Sequence, residues 1–361
     1  MTWTMARYFS TQFLVSTAMC FAVFVSTAFI FDTVELMRQV ARADVGFGLI
    51  LTMSVLKLPT LIEQMAAYTI LAGAMWTFLR LTRSHELVVA RAAGVSAWQF
   101  LMPVVVTTLI LGVFMVLLIN PMAAAMRARY EQLDATQLSG RSNLVAVSES
   151  GIWLRQSDDN GQAVIHAART GADGIELQDV VVFIYDNTDR VVERIDARSA
   201  KLSGGIWKLS QVWLNWTNRR AEYRELYTMP TNITTAEIQE SSTPPETVSV
   251  LELPQFIDVL EKAGLTAKPH RLHFQSVISS PLLYAAMVLI AAAFSLRLTR
   301  QGGVAVMIVG GVSVAFLLFF LSNLALVLGR SGNLPVVIAA WAPALVTALL
   351  GLAMLFHSED G

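Results

Sequence analysis

Ala92 to Met126 is 35 residues long and contains no Asp, Glu, Lys or Arg. Phe9 to Phe31 is a second such stretch, of 23 residues. Inside a lipid core the backbone must satisfy its own N–H and C=O groups, and a helix of roughly 20 apolar residues does so. Runs of this length exclude a soluble globular fold. The composition agrees, with 55% hydrophobic and 15% charged residues in a chain of 361.

Four further stretches are long enough to cross. Gly48–Leu79 is interrupted by Lys57, Pro59 and Glu63. Leu272–Leu296, Gly302–Gly329 and Leu334–Phe356 follow late in the chain. The third span starts near Ala97, and its apolar text continues past the membrane. Phe9–Phe31 exceeds the apolar core of a cleaved signal peptide, about 7–15 residues. The pattern predicts six transmembrane helices in two groups of three.

Charge marks what lies between the groups. Residues 121–271 hold 36 of the 53 charged side chains, and the other 210 residues hold 17. This segment reads as one large water-exposed insertion. Its texts "GIWLRQ", "AVIHAAR", "DVVVFIYD", "RVVERIDAR", "GIWKLSQVWLNW" and "RAEYRELYT" are β-branched and aromatic, with Gly, Asn and Asp turns between them. Short strands at this spacing predict a sandwich or jelly roll. The alternation over Arg190–Arg198 is imperfect. "SSTPPET" is a linker, and Val250–Gly264 is an amphipathic helix. The expected organisation is residues 1–126 with the first three spans, 127–249 as β domain and linker, 250–271 as amphipathic helix and junction, and 272–361 with the last three spans.

Lys and Arg near span ends set orientation. With the N-terminus inside, cytoplasmic segments carry Arg7, Arg80, Arg83, Arg91, Arg297 and Arg300, and short outer loops carry Arg38, Arg42 and Arg330. Both termini are then cytoplasmic and the insertion lies outside.

Catalytic motifs fail in particular places. His85-Glu86 opens like H-E-x-x-H, but position 89 is Val. "GVSAW" and "GVSVA" lack the closing Gly of G-x-S-x-G. No phosphate-binding loop G-x-x-x-x-G-K-[ST] occurs, and a net charge of −1 gives no reason to expect nucleic acid. Cys20 is single, and His270 with His273 forms no larger cluster, so no metal site is expected.

Charges within spans mark function, because they are costly there. Lys57 either snorkels to the outer interface or lines an outward-opening cavity for an anionic amphiphile. Arg38, Arg42, Arg127 and Arg129 would share that outer rim with acidic Asp32, Glu35 and Asp44.

"RLTRSHELVVARAAGVSAWQ" (80–99) links the second and third spans. It reads as a short helix over about 84–93. Ser84 is its N-cap, Glu86 stands in the first turn, Arg91 in the last, and Gly94 stops it. Ser96 and Gln99 form a capping box for the next span. The residues alone leave two readings, a helix resting at lipid headgroups or a docking helix for a cytoplasmic motor.

"RSHELVVARAAGVS" (83–96), "LRLTRQGG" (296–303) and "LGRSGNLPVVIAAWAPAL" (328–345) resemble the lipopolysaccharide-export permeases of the LptF/LptG family. "FIFDTVELMRQ" (29–39) is more similar to the LptG branch than to LptF. The resemblance implies a polytopic α-helical protein of six transmembrane helices with an inserted periplasmic all-β jelly-roll-like domain. It implies a non-enzymatic permease of an ABC transporter in the bacterial inner membrane. Its partners would be a second permease, LptF, a dimer of the cytoplasmic ATPase LptB, and the single-span periplasmic LptC. The chain itself would bind no cofactor, ATP being used by the ATPase. Lipopolysaccharide would enter laterally between the first and fifth spans and pass to a jelly-roll bridge toward the outer membrane.

By the same resemblance Glu86 is the docking residue for the ATPase, with Arg91 and Arg83 beside it. Arg38 leads the lipid contacts, followed by Arg42 and Lys57, and Arg127 and Arg129 complete the rim. Asp32 departs from the basic residue expected there in some relatives. Gly302, Gly303, Gly310 and Gly311 would let the fifth span pack closely or slide. Two other readings make different predictions. A membrane-anchored receptor or scaffold would tolerate change in 84–93, and an export permease for another lipidated cargo would place its large domain after the first span.

Overall fold

The computed structural model describes residues 3–40, 46–86, 89, 92, 94, 96–134, 144–148, 151–158, 161–170, 176–185, 190–216, 219–231, 244–262, 266–298 and 304–359. Its helices are α1 (Trp3–Val40), α2 (Phe47–Arg83), α3 (Ala97–Leu133), α4 (Leu253–Lys262), α5 (Lys268–Leu298), α6 (Val304–Arg330) and α7 (Val336–Glu359). All but α4 are long and apolar enough to cross a membrane, six in all. Two compact units separate. One comprises Met1–Tyr130, Ser249–Leu251 and Arg271–Gly361, and the other Glu131–Val248 and Glu252–His270.

In the helical unit, several threonines are satisfied within their own helices. The hydroxyls of Thr27, Thr69, Thr77 and Thr108 each donate to the carbonyl four residues back. Each of these threonines therefore enters an apolar span without an orphaned donor. Pro59, Pro103, Pro281 and Pro343 all lie inside long helices, so Pro59 does not break the second span as its position in the sequence suggests. α3 instead carries a π-helical turn at Met115–Ile119.

Small residues set the closest approaches. A Cβ added to Gly73 would lie 2.7 Å from the Thr17 Cα, so α1 and α2 nearly touch there. A Cβ on Gly112 would lie 2.7 Å from the Pro281 Cα, bringing α3 against α5. Around these contacts Phe9, Phe13, Phe78 and Phe100 are buried in one apolar core.

The inserted unit is the expected β domain. Its strands are β1 (Leu144–Ser148), β2 (Gly151–Asp158), β3 (Gly161–Thr170), β4 (Glu176–Tyr185), β5 (Val191–Ser203), β6 (Ile206–Trp216) and β7 (Glu222–Pro230). They form one antiparallel sheet of seven strands in chain order, a jelly-roll-like domain left open between β1 and β7. β1 is an addition to the six strand texts recognised in the sequence.

The imperfect alternation has a physical cause. Buried positions step by three, not two, at Leu177–Val180, Ala197–Ala200 and Leu209–Val212. The skipped residues lie in one row, since Val180 pairs with Ala197 and Ala197 with Val212. Asp179 and Gln211 in that row have φ of 52° and 54°, outside the extended region. The switch turns the opposite face of each strand inward, so the sheet creases and both halves serve one core around Trp207. α4 is amphipathic as expected, with Leu253, Ile257 and Leu260 buried.

Two glycine substitutions separate backbone contact from side-chain contact. Gly73→Ala forces α1 away from α2 and should cost about 1–3 kcal/mol. Gly311→Ala meets only the flexible end of Met75 and should stay within about 0.5 kcal/mol of the parent. Thermal midpoints of the detergent-solubilised variants check both; equal losses would contradict the assignment.

Candidate functional site

One ion pair joins two of the spans. Lys57 Nζ on α2 lies 2.6 Å from Asp32 Oδ1 on α1, and about a fifth of each side chain is exposed. The ammonium is also 5.1 Å from the centre of the Tyr130 ring on α3. Arg127 lies 5.0 Å from the same ring. Residues of three helices thus bring Lys57, Arg127 and Asp32 near one aromatic ring, and each cation gains from the ring quadrupole.

The other expected rim residues divide. Arg38 is exposed and pairs with Glu35, which also accepts from Gln39. Arg129 is exposed two residues beyond Arg127, a turn of about 200° that sends it to the other side of α3. Arg42 lies outside the described residues.

A second polar group was not legible in the sequence. Asn120 directly follows the π turn and is buried. Its Oδ1 accepts the Val250 N–H at 2.9 Å, and its side chain lies near Glu63 of α2. One amide therefore stands between a carboxyl group within a span and a backbone donor in the junction. The nearest sequence signal was Glu63, a charge within an apolar run.

An apolar cavity of about 560 Å³ lies between α1, α2 and α6. Phe24, Tyr68, Met75, Trp76, Phe316 and Phe319 are among its walls, and Cys20 and Gly311 also line it. Gly310 instead faces Phe294 of α5, where an added Cβ would come within 2.6 Å of the ring. Gly302 and Gly303 lie outside the described residues. Lys57 shares an α2 face with the cavity: Tyr68, 11 residues on, and Met75, 18 residues on, return to the same direction within about 20°. Lys57 and Arg83 are about 39 Å apart along α2, enough to hold a hydrocarbon core of about 30 Å between them.

Beyond α2 the chain turns sharply. Ser84 caps α2 and does not start the next helix: its N–H donates to the Arg80 carbonyl and its hydroxyl to that of Leu81. The start falls one residue later because His85 takes φ 59° and its carbonyl accepts from Val89. Glu86, Val89 and Ala92 are helical, and Gly94 has φ 83° as a stop requires. The capping box of Ser96 and Gln99 forms. Glu86 is half-buried and lies near the Tyr8 hydroxyl of α1, while Arg83 is exposed. Arg91 lies outside the described residues.

Comparison with known proteins follows the same layout. The family model described as "Lipopolysaccharide export system permease LptF/LptG" matches residues 7–357. The lipopolysaccharide export system permease protein LptG of Escherichia coli (strain K12) is 24% identical over 362 residues, covering 98% of each chain. The protein of that name from Haemophilus influenzae is 24% identical over 377 residues, covering 99% of each.

Asn120→Leu leaves the Val250 N–H without its partner and removes the amide beside Glu63, at about 1–3 kcal/mol for the orphaned donor. The thermal midpoint should fall clearly, whereas Glu63→Gln, which keeps a polar group beside the amide, should move it far less. A larger loss for Glu63→Gln would refute the bridging role.

Proposed function

From the premise that this chain belongs to the LptF/LptG family of lipopolysaccharide export permeases, we propose that it is the LptG-type subunit of an ABC transporter. It extracts lipopolysaccharide from the outer leaflet of the inner membrane and hands it to a periplasmic bridge toward the outer membrane. It pairs with LptF, is driven by a dimer of LptB and delivers to LptC. Both termini are cytoplasmic and the β domain is periplasmic.

The observation that carries this reading is the single face of α2. It bears a cation at one end and an apolar cavity further along, in the order of a lipid phosphate and its acyl chains. The lipid enters laterally beside α1 and α6, which wall the cavity with α2. Its phosphates meet Lys57, Arg127 and Arg38, and its acyl chains meet Phe24, Tyr68 and Phe316. Charge-assisted contacts fix the headgroup, and apolar burial retains the chains.

ATP chemistry belongs to the motor, and force enters through the segment after α2. Glu86 docks on a basic group of the ATPase, with Arg83 and Arg91 at its sides. Closure of the motor moves this segment, narrows the cavity and expels the lipid toward the β domain. Gly311 lets α6 approach α2 as the space closes.

Glu86→Ala and Glu86→Lys test the docking role. Both should lose most of the co-purifying ATPase and of lipopolysaccharide export, and the charge reversal should lose more. Mass spectrometry of the purified assembly reads chains and lipids together. An ATPase that still co-purifies at parental level with Glu86→Lys, with export intact, would sink the assignment.

A further inference from the structure

We propose that Asp32 is a built-in counter-ion for Lys57. It holds the place of a lipid phosphate until one arrives, so the site binds anionic lipid by exchange. The proposal rests on reading Lys57 as a headgroup ligand.

The pair is accessible and incomplete. Asp32 Oδ1 lies 2.6 Å from Lys57 Nζ, and both side chains keep about a fifth of their surface exposed. An incoming anion can therefore reach the ammonium. Asp32 Oδ2 is buried and has no hydrogen-bond partner among the described residues. A carboxylate can accept several hydrogen bonds, and a buried oxygen that accepts none weakens the net gain of the pair.

The cation stays in place when the carboxylate leaves. The Tyr130 ring, 5.1 Å from Lys57, attracts the ammonium without neutralising it. Arg127 is held at 5.0 Å from the same ring. Displacing Asp32 thus leaves the Lys57 ammonium beside a ring that Arg127 also approaches. A phosphomonoester carries −1.5 to −2 charges, so it attracts the Lys57 ammonium more strongly than the single charge of the Asp32 carboxylate does. A phosphodiester carries a single charge and can only replace Asp32 like for like. Asp32 therefore sets a threshold: lipids with phosphomonoesters displace it, and singly charged phospholipids stay off. Glu35 repeats the device one turn along α1, where it pairs with Arg38.

The test uses the full chain, purified with its accompanying subunits, in phosphatidylcholine nanodiscs. Fluorescent diphosphorylated lipid A is the probe, and phosphatidylglycerol is the competing diester. On the parent, phosphatidylglycerol should barely displace the probe. Asp32→Asn should tighten lipid A roughly fivefold and turn phosphatidylglycerol into a competitor. Asp32→Glu should restore parental behaviour, and Asp32→Ser, a second uncharged variant, should match Asp32→Asn. Lys57→Met should weaken lipid A, and adding Asp32→Asn to it should change nothing further. If Lys57→Met binds lipid A like the parent, the headgroup reading fails and the exchange with it. If Lys57→Met weakens binding but both uncharged Asp32 variants leave lipid A and competition unaltered, the counter-ion role alone is overturned.

Discussion

The pairing of α1 with α2 organises the helical unit. It is fixed at three heights by three kinds of contact. The Tyr8 hydroxyl comes near Glu86 just beyond the end of α2. Thr17 meets Gly73 so closely that a Cβ there would overlap it. Asp32 pairs with Lys57. As residue numbers rise along α1 they fall along α2, as an antiparallel pair demands. The small residue allows the approach, and the two polar contacts fix the register. Apolar side chains alone would let two such helices slide, because lipid tails solvate them about as well as a partner helix does.

Much of this architecture was legible because membranes make sequence explicit. Six long apolar runs could only be six helices, and the charge-rich insertion between the third and fourth could only be something else. The capping box at Ser96 and Gln99 and the stop at Gly94 were readable because caps depend on local chemistry. Ser84 was misread for the same reason. It is chemically suited to start a helix, but α2 runs on to Arg83 and takes Ser84 as its own cap. Local rules say what a serine can do and not which of two adjoining helices will claim it.

The candidate site was less legible, because its members are far apart in the chain. Lys57 and Asp32 were singled out as isolated charges, but nothing local says that they meet. Tyr130 raised no signal, yet it is the ring that Lys57 and Arg127 share. Asn120 was hidden in an uncharged run, and its importance comes from the π turn before it and from Val250, 130 residues later. In the β domain the crease was visible as failed alternation in one strand. Only pairing revealed that neighbouring strands fail in the same row.

The three contacts between α1 and α2 also differ in how easily they yield. The Thr17–Gly73 approach is backbone against backbone, and breaking it exposes packed surface. The two polar contacts are single interactions that a competing group can replace, Asp32 by another anion and Tyr8 by another basic or hydroxyl partner of Glu86. A helix pair with a stiff middle and two exchangeable ends can change partners at either end while staying whole. Freeing one end alters what holds α1 against α2 over its whole length, because a rigid helix carries displacement along its axis. The proposed function needs this combination. Lipid would exchange at one end of the pair and the motor would act at the other, with the apolar cavity along the shared wall between them.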